Sequence, residues 1–276
     1  MARENPGLGW LVLVSWSVAF VFIAASISVY IAPAAIGSGV AEAIGILNGI
    51  AYPDYICFKT LAVKFFGVTL GVAGGLCGGK EGPLVHMGSI VGYASAYLPL
   101  GFTKYFRNDF EKRKLMAVGV AAGVSAAFGA PIGGSLFAYE ISKPNTFWSF
   151  SLTWKVFFAS TISTFVLSLF KQLYDHRYPI YVSNSEIIKL GVAQKSPTLD
   201  SLFGSIIIGV VGGLLGATFI LINNKINIYR KKLLKQKWMK IAESVFLVVI
   251  TVTVMYLACY IKFSNDDEAG TNSYIC

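Results

Sequence analysis

The sequence predicts an all-α, multi-pass integral membrane protein. Hydrophobic residues make up 55% of its 276 residues and charged residues only 13%, about half the charged share of an ordinary soluble domain. Uncharged runs of the length that a helix needs to cross the hydrocarbon recur at residues 5–41, 115–139, 201–224 and 244–261. Because such runs recur, lipid rather than water is the expected solvent for most of the chain.

The charge pattern indicates topology rather than a polyanionic partner. The formal net charge is +9, but the basic residues lie in short loops between apolar runs. They do not form one solvated face of the kind that binds nucleic acid. The densest basic group, at residues 225–240, separates two uncharged runs, so the positive-inside rule predicts that it lies in the cytoplasm.

The first half of the chain is predicted to contain helices that break inside the membrane. We expect a spanning helix over residues 8–35, a turn at 37–39 and a short helix over 40–49. An apolar, glycine-rich stretch follows at 61–79. A second uncharged piece at 82–103 begins with Gly-Pro, which favours a helix start. Because the first of these pieces is short for a crossing, two short helices are expected to meet inside the membrane.

The next part of the chain reads as a polar loop followed by helices rich in small residues. The loop is expected at 104–114, and a helix over 115–128 is broken at Pro131 and resumes over 132–141. Small residues let helices approach closely in lipid, where packing supplies much of the attraction between them. A further span is expected over 151–170.

The last part of the chain is predicted to add two more spans. A polar loop at 174–200 precedes a long helix over 201–234 and a final span over 241–261. From residue 263 to 276 the sequence is polar, and we expect this tail to be disordered.

The charged pair Lys80 and Glu81 lies at the joint between the two short helices. A helix N-terminus offers free N–H donors and the positive end of the helix dipole, so two such ends aimed at one point predict an anion site. The Glu81 carboxylate is a tethered anion that competes with a permeant anion, which is the behaviour of a gate. The alternative interpretation is a glutamate that only caps a helix near the interface.

Other functional classes find no support. Residues 74–80 read G-x-x-x-x-G-K, but Glu81 stands where a phosphate-binding loop needs Ser or Thr to hold Mg²⁺. His86 and His176 lack ligand partners at useful spacing, and no triad or paired-carboxylate arrangement predicts catalysis. The four cysteines show no paired or metal-ligand spacing. We therefore expect no enzyme activity, no metal site and no cofactor.

Three motifs in chain order carry a resemblance to a known family. Residues 37–42 read Gly-Ser-Gly-Val-Ala-Glu and are similar to the motif G-S-G-I-P-E, residues 79–83 match G-K/R-E-G-P, and residues 121–131 match A-A-G-x-x-A-A-F-x-A-P. On these motifs the chain resembles the CLC family of chloride channels and chloride/proton exchangers. Residues 147–148 and 152–155 are most similar to its lysosomal and late-endosomal branch.

The resemblance implies a CLC-type fold of tilted and broken helices, in which two inverted halves surround the anions. Residues 1–262 would form a partial CLC transmembrane domain that holds the first inverted half and the start of the second. The resemblance further implies chloride as the permeant ligand and a homodimer with one pore per subunit, the helix over 151–170 lying at the dimer face. An endolysosomal membrane, another intracellular membrane and the plasma membrane all stay open.

The resemblance also assigns roles to single residues. Ser38 would coordinate the central chloride through its hydroxyl, N–H groups around Glu81 and Gly82 would hold an outer site, and Glu81 would be the gate. The anion-binding residues expected on this basis are Gly37, Ser38, Gly39, Val40, Lys80, Glu81 and Gly82.

The chain also departs from the family pattern. Ala41 replaces a proline that helps the helix start but is not required. Exchangers carry two consecutive glutamates, of which the second relays protons, and here the pair is Glu140 and Ile141. Because Ile141 cannot carry a proton, the resemblance favours passive, channel-like chloride conduction. The alternatives are a chloride/proton antiporter that uses another acid, and a non-conducting subunit that associates with full-length partners.

Overall fold

The computed structural model describes residues 6–52, 54–99, 105–142, 148–174 and 199–268. Over these ranges the regular structure is helical throughout, as the composition predicts. The predicted loop at 174–200, including His176, and the predicted tail beyond Glu268 lie almost entirely outside the described residues. The described α-helices are α1 Pro6–Tyr30, α2 Val40–Leu47, α3 Phe58–Ala73, α4 Glu81–Ala94, α5 Asp109–Phe128, α6 Pro131–Ser142, α7 Phe150–Tyr174, α8 Leu199–Leu233 and α9 Lys237–Glu268.

Most predicted helix boundaries hold to within a few residues, but four need correction. The helix expected in the piece at 82–103 ends at Ala94 and is followed by a 3-10 turn at Ser95–Tyr97. The first helix ends at Tyr30, because Pro33 opens a separate 3-10 turn that ends at Ala35. Helix α5 begins at Asp109 and not at residue 115. Helix α9 runs to Glu268, so the first six residues of the predicted disordered tail are helical.

The early start of α5 has a local physical cause. The Asn108 side chain caps the helix by accepting a weak hydrogen bond from the Phe110 N–H at 3.5 Å. The Lys112 ammonium then lies over the rings of Tyr97 and Tyr93, at 5.2 Å and 5.7 Å from the ring centroids. These aromatic contacts accommodate the charged first turns of α5, which the sequence alone predicts to be a loop.

Helix α5 lies at the centre of the packing, against α4, α6 and α7. Its contact with α4 is made by glycines on both helices. A β-carbon on Gly92 would lie 2.9 Å from the Cα of Gly119, and one on Gly123 would lie 3.0 Å from the carbonyl carbon of Leu84. The two backbones therefore touch, which is how helices gain van der Waals attraction in lipid.

Helices α1 and α9 make a second, smaller cluster. Val21 of α1 packs against Val248 and Val252 of α9, and all three side chains are buried. The Trp10 indole N–H donates a hydrogen bond to the Thr253 hydroxyl at 3.2 Å. This pair brings two distant parts of the sequence together within one compact unit.

Helix α8 belongs to a separate compact unit and is described by itself. Its apolar side chains are exposed along its length, among them Ile207, Phe219 and Leu221. At about 1.5 Å per residue, a helix of 35 residues extends roughly 50 Å, well beyond the ~30 Å of a hydrocarbon core. The basic residues Arg230 and Lys231 lie in its last turn, where they can reach the polar side of the membrane.

Four described helices are long and apolar enough to cross a membrane: Gly7–Tyr30, Phe150–Tyr174, Leu202–Leu233 and Lys237–Ala258. The shorter helices α2, α3, α4 and α6 pack against one another, α1, α5 or α7. The protein is thus a multi-pass integral membrane protein, and its short helices are the broken ones that the sequence predicts.

Candidate anion site at two helix N-termini

The N-termini of α2 and α4 lie against each other. A β-carbon on Gly82, in the first turn of α4, would be 2.6 Å from the Ser38 Cβ and 3.2 Å from the Ser38 Cα. A β-carbon on Gly39 would be 2.7 Å from the His86 ring carbon Cγ. We call the region formed by residues 37–40 and 80–82 the junction. Two breaks that are more than 40 residues apart in sequence therefore meet in space.

The Gly-Ser-Gly turn needs glycine at both ends. Gly37 and Gly39 have φ values of +87° and +83°, a region in which residues with a β-carbon are strained. The hydroxyl oxygen of Ser38 accepts a long hydrogen bond from the Val40 N–H at 3.4 Å. In that bond the hydroxyl is the acceptor, so its own hydrogen stays available to an anion.

Buried side chains hold the carbonyl groups of this turn. The Lys64 ammonium donates hydrogen bonds to the Ala35 carbonyl, at 2.9 Å, and to the Gly37 carbonyl. The Tyr55 hydroxyl donates to the Gly39 carbonyl at 2.8 Å and lies 3.3 Å from the Ser89 hydroxyl. Lys64 and Tyr55 are each only 2% exposed.

His86 supports the same turn from the side of α4. Its ring stacks on Tyr55 with 3.8 Å between centroids and an interplanar angle of 11°. Its Nε2 lies 3.1 Å from the Tyr55 carbonyl oxygen, and since a carbonyl only accepts, Nε2 carries the proton. Nδ1 is then an unprotonated acceptor. It is buried and has no hydrogen-bond partner among the described residues.

Glu81 is the first residue of α4 and is half-buried. Its carboxylate folds back over Gly79, where a β-carbon would collide with Oε2. Within the described ranges, no donor is hydrogen bonded to this carboxylate. Lys80 precedes it as the residue that flanks the helix, and its side chain is exposed. The arrangement leaves Glu81 able to change rotamer at the mouth of the junction.

The structure brings together the predicted residues of the two motifs, while Glu140 and Ile141 lie in α6. The Glu140 side chain is exposed, whereas Ile141 packs against the main apolar cluster around α5. No cluster of three His, Cys, Asp or Glu side chains that could hold a metal ion occurs within the described ranges.

Two residues of the site, Lys64 and Tyr55, were not predicted from the sequence. Lys64 did carry a signal, because a single basic residue inside the apolar stretch 61–79 is a functional candidate in a membrane protein. Tyr55 lies outside any helix, and nothing local in its sequence marks a contact with a residue 16 positions earlier.

Comparisons with known proteins agree with these observations. The profile of the family described as voltage gated chloride channel matches residues 20–271. H(+)/Cl(-) exchange transporter 7 of Homo sapiens is 38% identical over 269 residues, which cover 93% of this chain and 33% of that protein. Chloride channel protein A of Dictyostelium discoideum is 35% identical over 263 residues, which cover 92% of this chain and 30% of that protein.

A solved structure shares the fold. The X-ray crystal structure of a slow cyanobacterial Cl-/H+ antiporter superimposes with a TM-score of 0.73 at 26% sequence identity, and the match covers 91% of this chain and 55% of that chain. The chain thus spans about a third of the length of the curated relatives it matches.

These findings contradict the prediction of a passive, channel-like pathway. That prediction rested on Ile141, yet the relative at 38% identity and the solved structure are both named as exchangers of chloride and protons. The physical reason for the error is that an isoleucine excludes proton transfer only at its own position. Ile141 lies in an apolar cluster, and its side chain says nothing about acids elsewhere in the pathway.

Proposed function

We propose, since the chain belongs to the voltage gated chloride channel family, that it forms part of a pathway that exchanges chloride for protons across a membrane. The observation that carries the proposal is the contact between the N-termini of α2 and α4 at Ser38 and Gly82, with Glu81 beside it. The names of the exchangers that resemble the chain support the coupling to protons.

The junction suits an anion that must bind and also leave. Free N–H groups at the two helix N-termini and the Ser38 hydroxyl supply donors, and the helix dipoles add a partial positive charge. Partial charges hold chloride less tightly than a full ammonium would, and moderate binding is a condition for permeation. We assign anion binding to Gly37, Ser38, Gly39, Val40, Lys80, Glu81 and Gly82.

Glu81 is the proposed gate and proton carrier at the junction. When ionised, its carboxylate competes with chloride for the same N–H donors. When protonated, it is neutral and releases them, so chloride entry and proton uptake favour each other. Because Ile141 cannot relay protons, the proton must reach or leave Glu81 by way of other groups in this protein.

We further propose a homodimer in which α7 contributes to the interface. The helix carries exposed apolar side chains, among them Trp154, Phe158 and Ile162, and a membrane helix presents such residues either to lipid or to another subunit. We also propose that chloride is the ligand, that no cofactor is needed and that residues 1–262 form part of a transmembrane domain. An endolysosomal membrane is the location that the branch resemblance favours.

Flux measurements on the full chain in liposomes test the proposal. Chloride efflux and proton influx are recorded together for the wild type, Glu81→Gln and Glu81→Ala. The matched control is Glu111→Gln, which removes a carboxylate that pairs with Lys114 on α5. We expect coupled movement in the wild type and the control, and chloride movement without protons in both Glu81 variants.

Each other outcome has a definite meaning. Chloride movement without protons in the wild type would contradict antiport. Proton coupling that survives Glu81→Gln would remove Glu81 from the proton pathway. If the wild-type chain moves no chloride by itself, transport by this chain alone is wrong, and its role is as one part of a larger assembly.

A further inference from the structure

The peptide units of the Gly-Ser-Gly turn have fixed orientations. In a trans peptide the C=O of one residue and the N–H of the next lie in one plane and point in opposite directions. The Gly37 carbonyl is directed at Lys64, so the Ser38 N–H points away from Lys64. The Gly39 carbonyl is directed at Tyr55 and also accepts the first helical hydrogen bond, from the Ala43 N–H at 3.0 Å.

Carbonyl orientation decides whether such a turn attracts or repels an anion. A carbonyl oxygen carries partial negative charge, and a turn that can flip its peptide units presents C=O as readily as N–H. Here the carbonyls of Gly37 and Gly39 are each held by a buried donor, on the side opposite to the N–H of the following residue. These two carbonyls are therefore kept away from the side of the turn on which the Ser38 N–H lies.

We propose that Lys64 and Tyr55 are positioning residues that bind the carbonyls of Gly37 and Gly39 and thereby aim the Ser38 N–H, together with the Ser38 hydroxyl that the Val40 N–H holds, at the anion. The inference rests on the proposed function, because it names what keeps that site selective for anions. Lys64 pairs with backbone carbonyls rather than with a carboxylate. Among the described residues no carboxylate forms a salt bridge with Lys64, although Glu42 interacts with it at longer range, so its ammonium adds to the local positive potential.

The burial of both side chains supports a role beyond local stability. A buried ammonium is costly unless it is well hydrogen bonded, and an apolar residue of similar length would fill the same space without that cost. Tyr55 is held on its other face by the stacked ring of His86, so the hydroxyl is directed at the Gly39 carbonyl by packing. The two donors come from α3 and from the segment before it, and they converge on one turn.

Chloride titration calorimetry on the full chain in detergent tests the proposal. The variants are Lys64→Met, which keeps length and removes charge, and Tyr55→Phe, which keeps the stacked ring and removes only the hydroxyl. The matched controls are Lys59→Met, an exposed lysine of α3, and Tyr105→Phe, which is 81% exposed. Lys64→Arg is the conservative variant that retains a charged donor.

We expect Lys64→Met to weaken chloride binding about tenfold or more and Tyr55→Phe to weaken it about threefold to fivefold, from the usual strengths of charged and neutral hydrogen bonds. Lys64→Arg should recover part of the loss, and both controls should stay within about twofold. Hydrogen exchange of the backbone amides at residues 36–40, read by mass spectrometry, should become faster in Lys64→Met and Tyr55→Phe only.

The two readouts separate the failure of this inference from the failure of the proposed function. A wild type that binds no chloride overturns the proposed function and, with it, the anion-aiming role. A wild type that binds chloride, with Lys64→Met and Tyr55→Phe binding equally well, overturns the positioning role alone. If Lys64→Met does not fold, Tyr55→Phe decides, because it changes one hydroxyl and leaves the packing in place.

Discussion

The N-termini of α2 and α4 offer an anion the same kind of donors but are held in different ways. At α2 the flanking carbonyls are bound by Lys64 and Tyr55, both almost fully buried. At α4 the leading side chain, Glu81, has no hydrogen-bonded donor within the described ranges and lies over Gly79. One end is suited to hold an ion in a fixed geometry, and the other is suited to move.

The same electrostatic feature can therefore serve two purposes. A helix N-terminus attracts an anion in either setting. Coordination requires a rigid backbone, and gating requires a side chain that can leave. Whether a helix end coordinates or gates is decided by the residues that contact it, and not by the N–H donors themselves. The substitutions below test that contrast at each end.

The largest effect is expected for Gly39→Ala at the rigid end. The positive φ costs about 1–2 kcal/mol for alanine, and the new β-carbon would lie within 2.5–2.8 Å of His86 side-chain atoms, which adds about 1–3 kcal/mol of overpacking. We expect chemical unfolding in detergent to show a loss of about 3 kcal/mol in the free energy of unfolding. Chloride binding should be abolished.

Gly37→Ala is the matched control for this loss. Gly37 has a similar positive φ, but no atom lies within 4 Å of the place that its β-carbon would take. Gly37→Ala should therefore lower the free energy of unfolding only by the cost of the positive φ, about 1–2 kcal/mol. Equal losses in the two variants would mean that contact with His86 does not contribute to holding this end.

Gly82→Ala is expected to have the next largest effect, because it separates the two ends. Alanine is the better helix former by about 0.5–1 kcal/mol, yet its β-carbon would lie 2.6 Å from the Ser38 Cβ. We expect a net destabilisation of about 1–2 kcal/mol and chloride binding about tenfold weaker, measured by unfolding and calorimetry.

Gly133→Ala, near the start of α6, is the control for the higher helix propensity of alanine alone. Its β-carbon would meet only the Ala130 Cβ at an ordinary 3.5 Å, so this variant should be neutral or slightly stabilised. If Gly82→Ala behaves in the same way, the contact between the helix ends is looser than the structure indicates.

The contrast between local and long-range signals also explains what the sequence could predict. Helix breaks are encoded locally, so Pro131 correctly marked the start of α6 and the Gly-Pro at residues 82–83 marked the start of α4 to within two residues. The contacts of Lys64 with Ala35 and Gly37 span 29 and 27 residues. No local pattern specifies such pairs, so the motifs predict donors for the site but not the residues that orient them.

The wrong prediction of passive conduction has a similar cause, because it was drawn from one local residue. Ile141 was interpreted from its position in a motif, and the local inference that it carries no proton is sound chemistry. Coupling, however, is a property of the whole pathway, and it cannot be deduced from one residue in α6. The start of α5 was missed for a related reason, since the rings of Tyr93 and Tyr97 that receive Lys112 precede it by more than ten residues.

Ser38→Ala tests the rigid end with a smaller change. Its side chain is exposed and contributes only a long contact to the Val40 N–H, so stability should change by less than about 0.5 kcal/mol. One hydrogen bond to chloride is worth about 1 kcal/mol, which corresponds to roughly fivefold weaker binding. Ser135→Ala, which removes a hydroxyl bonded to the Ile132 carbonyl, should leave binding unchanged. Unchanged binding in Ser38→Ala would remove this hydroxyl from the anion site.

The smallest effect is expected at the mobile end, for Gly79→Ala. The new β-carbon would occupy the place of the Glu81 carboxylate, and because that carboxylate ends a flexible side chain, it can move aside at little cost. Stability should change by less than about 0.5 kcal/mol, whereas chloride flux should rise roughly threefold, because the rotamer that places the carboxylate over Gly79 at the mouth of the junction loses population. Gly78→Ala, with nothing within 4 Å of its β-carbon, should leave flux unchanged. A rise in both variants would trace the effect to a stiffer backbone before α4, and a fall in Gly79→Ala alone would mean that the carboxylate is displaced into the anion path and not out of it.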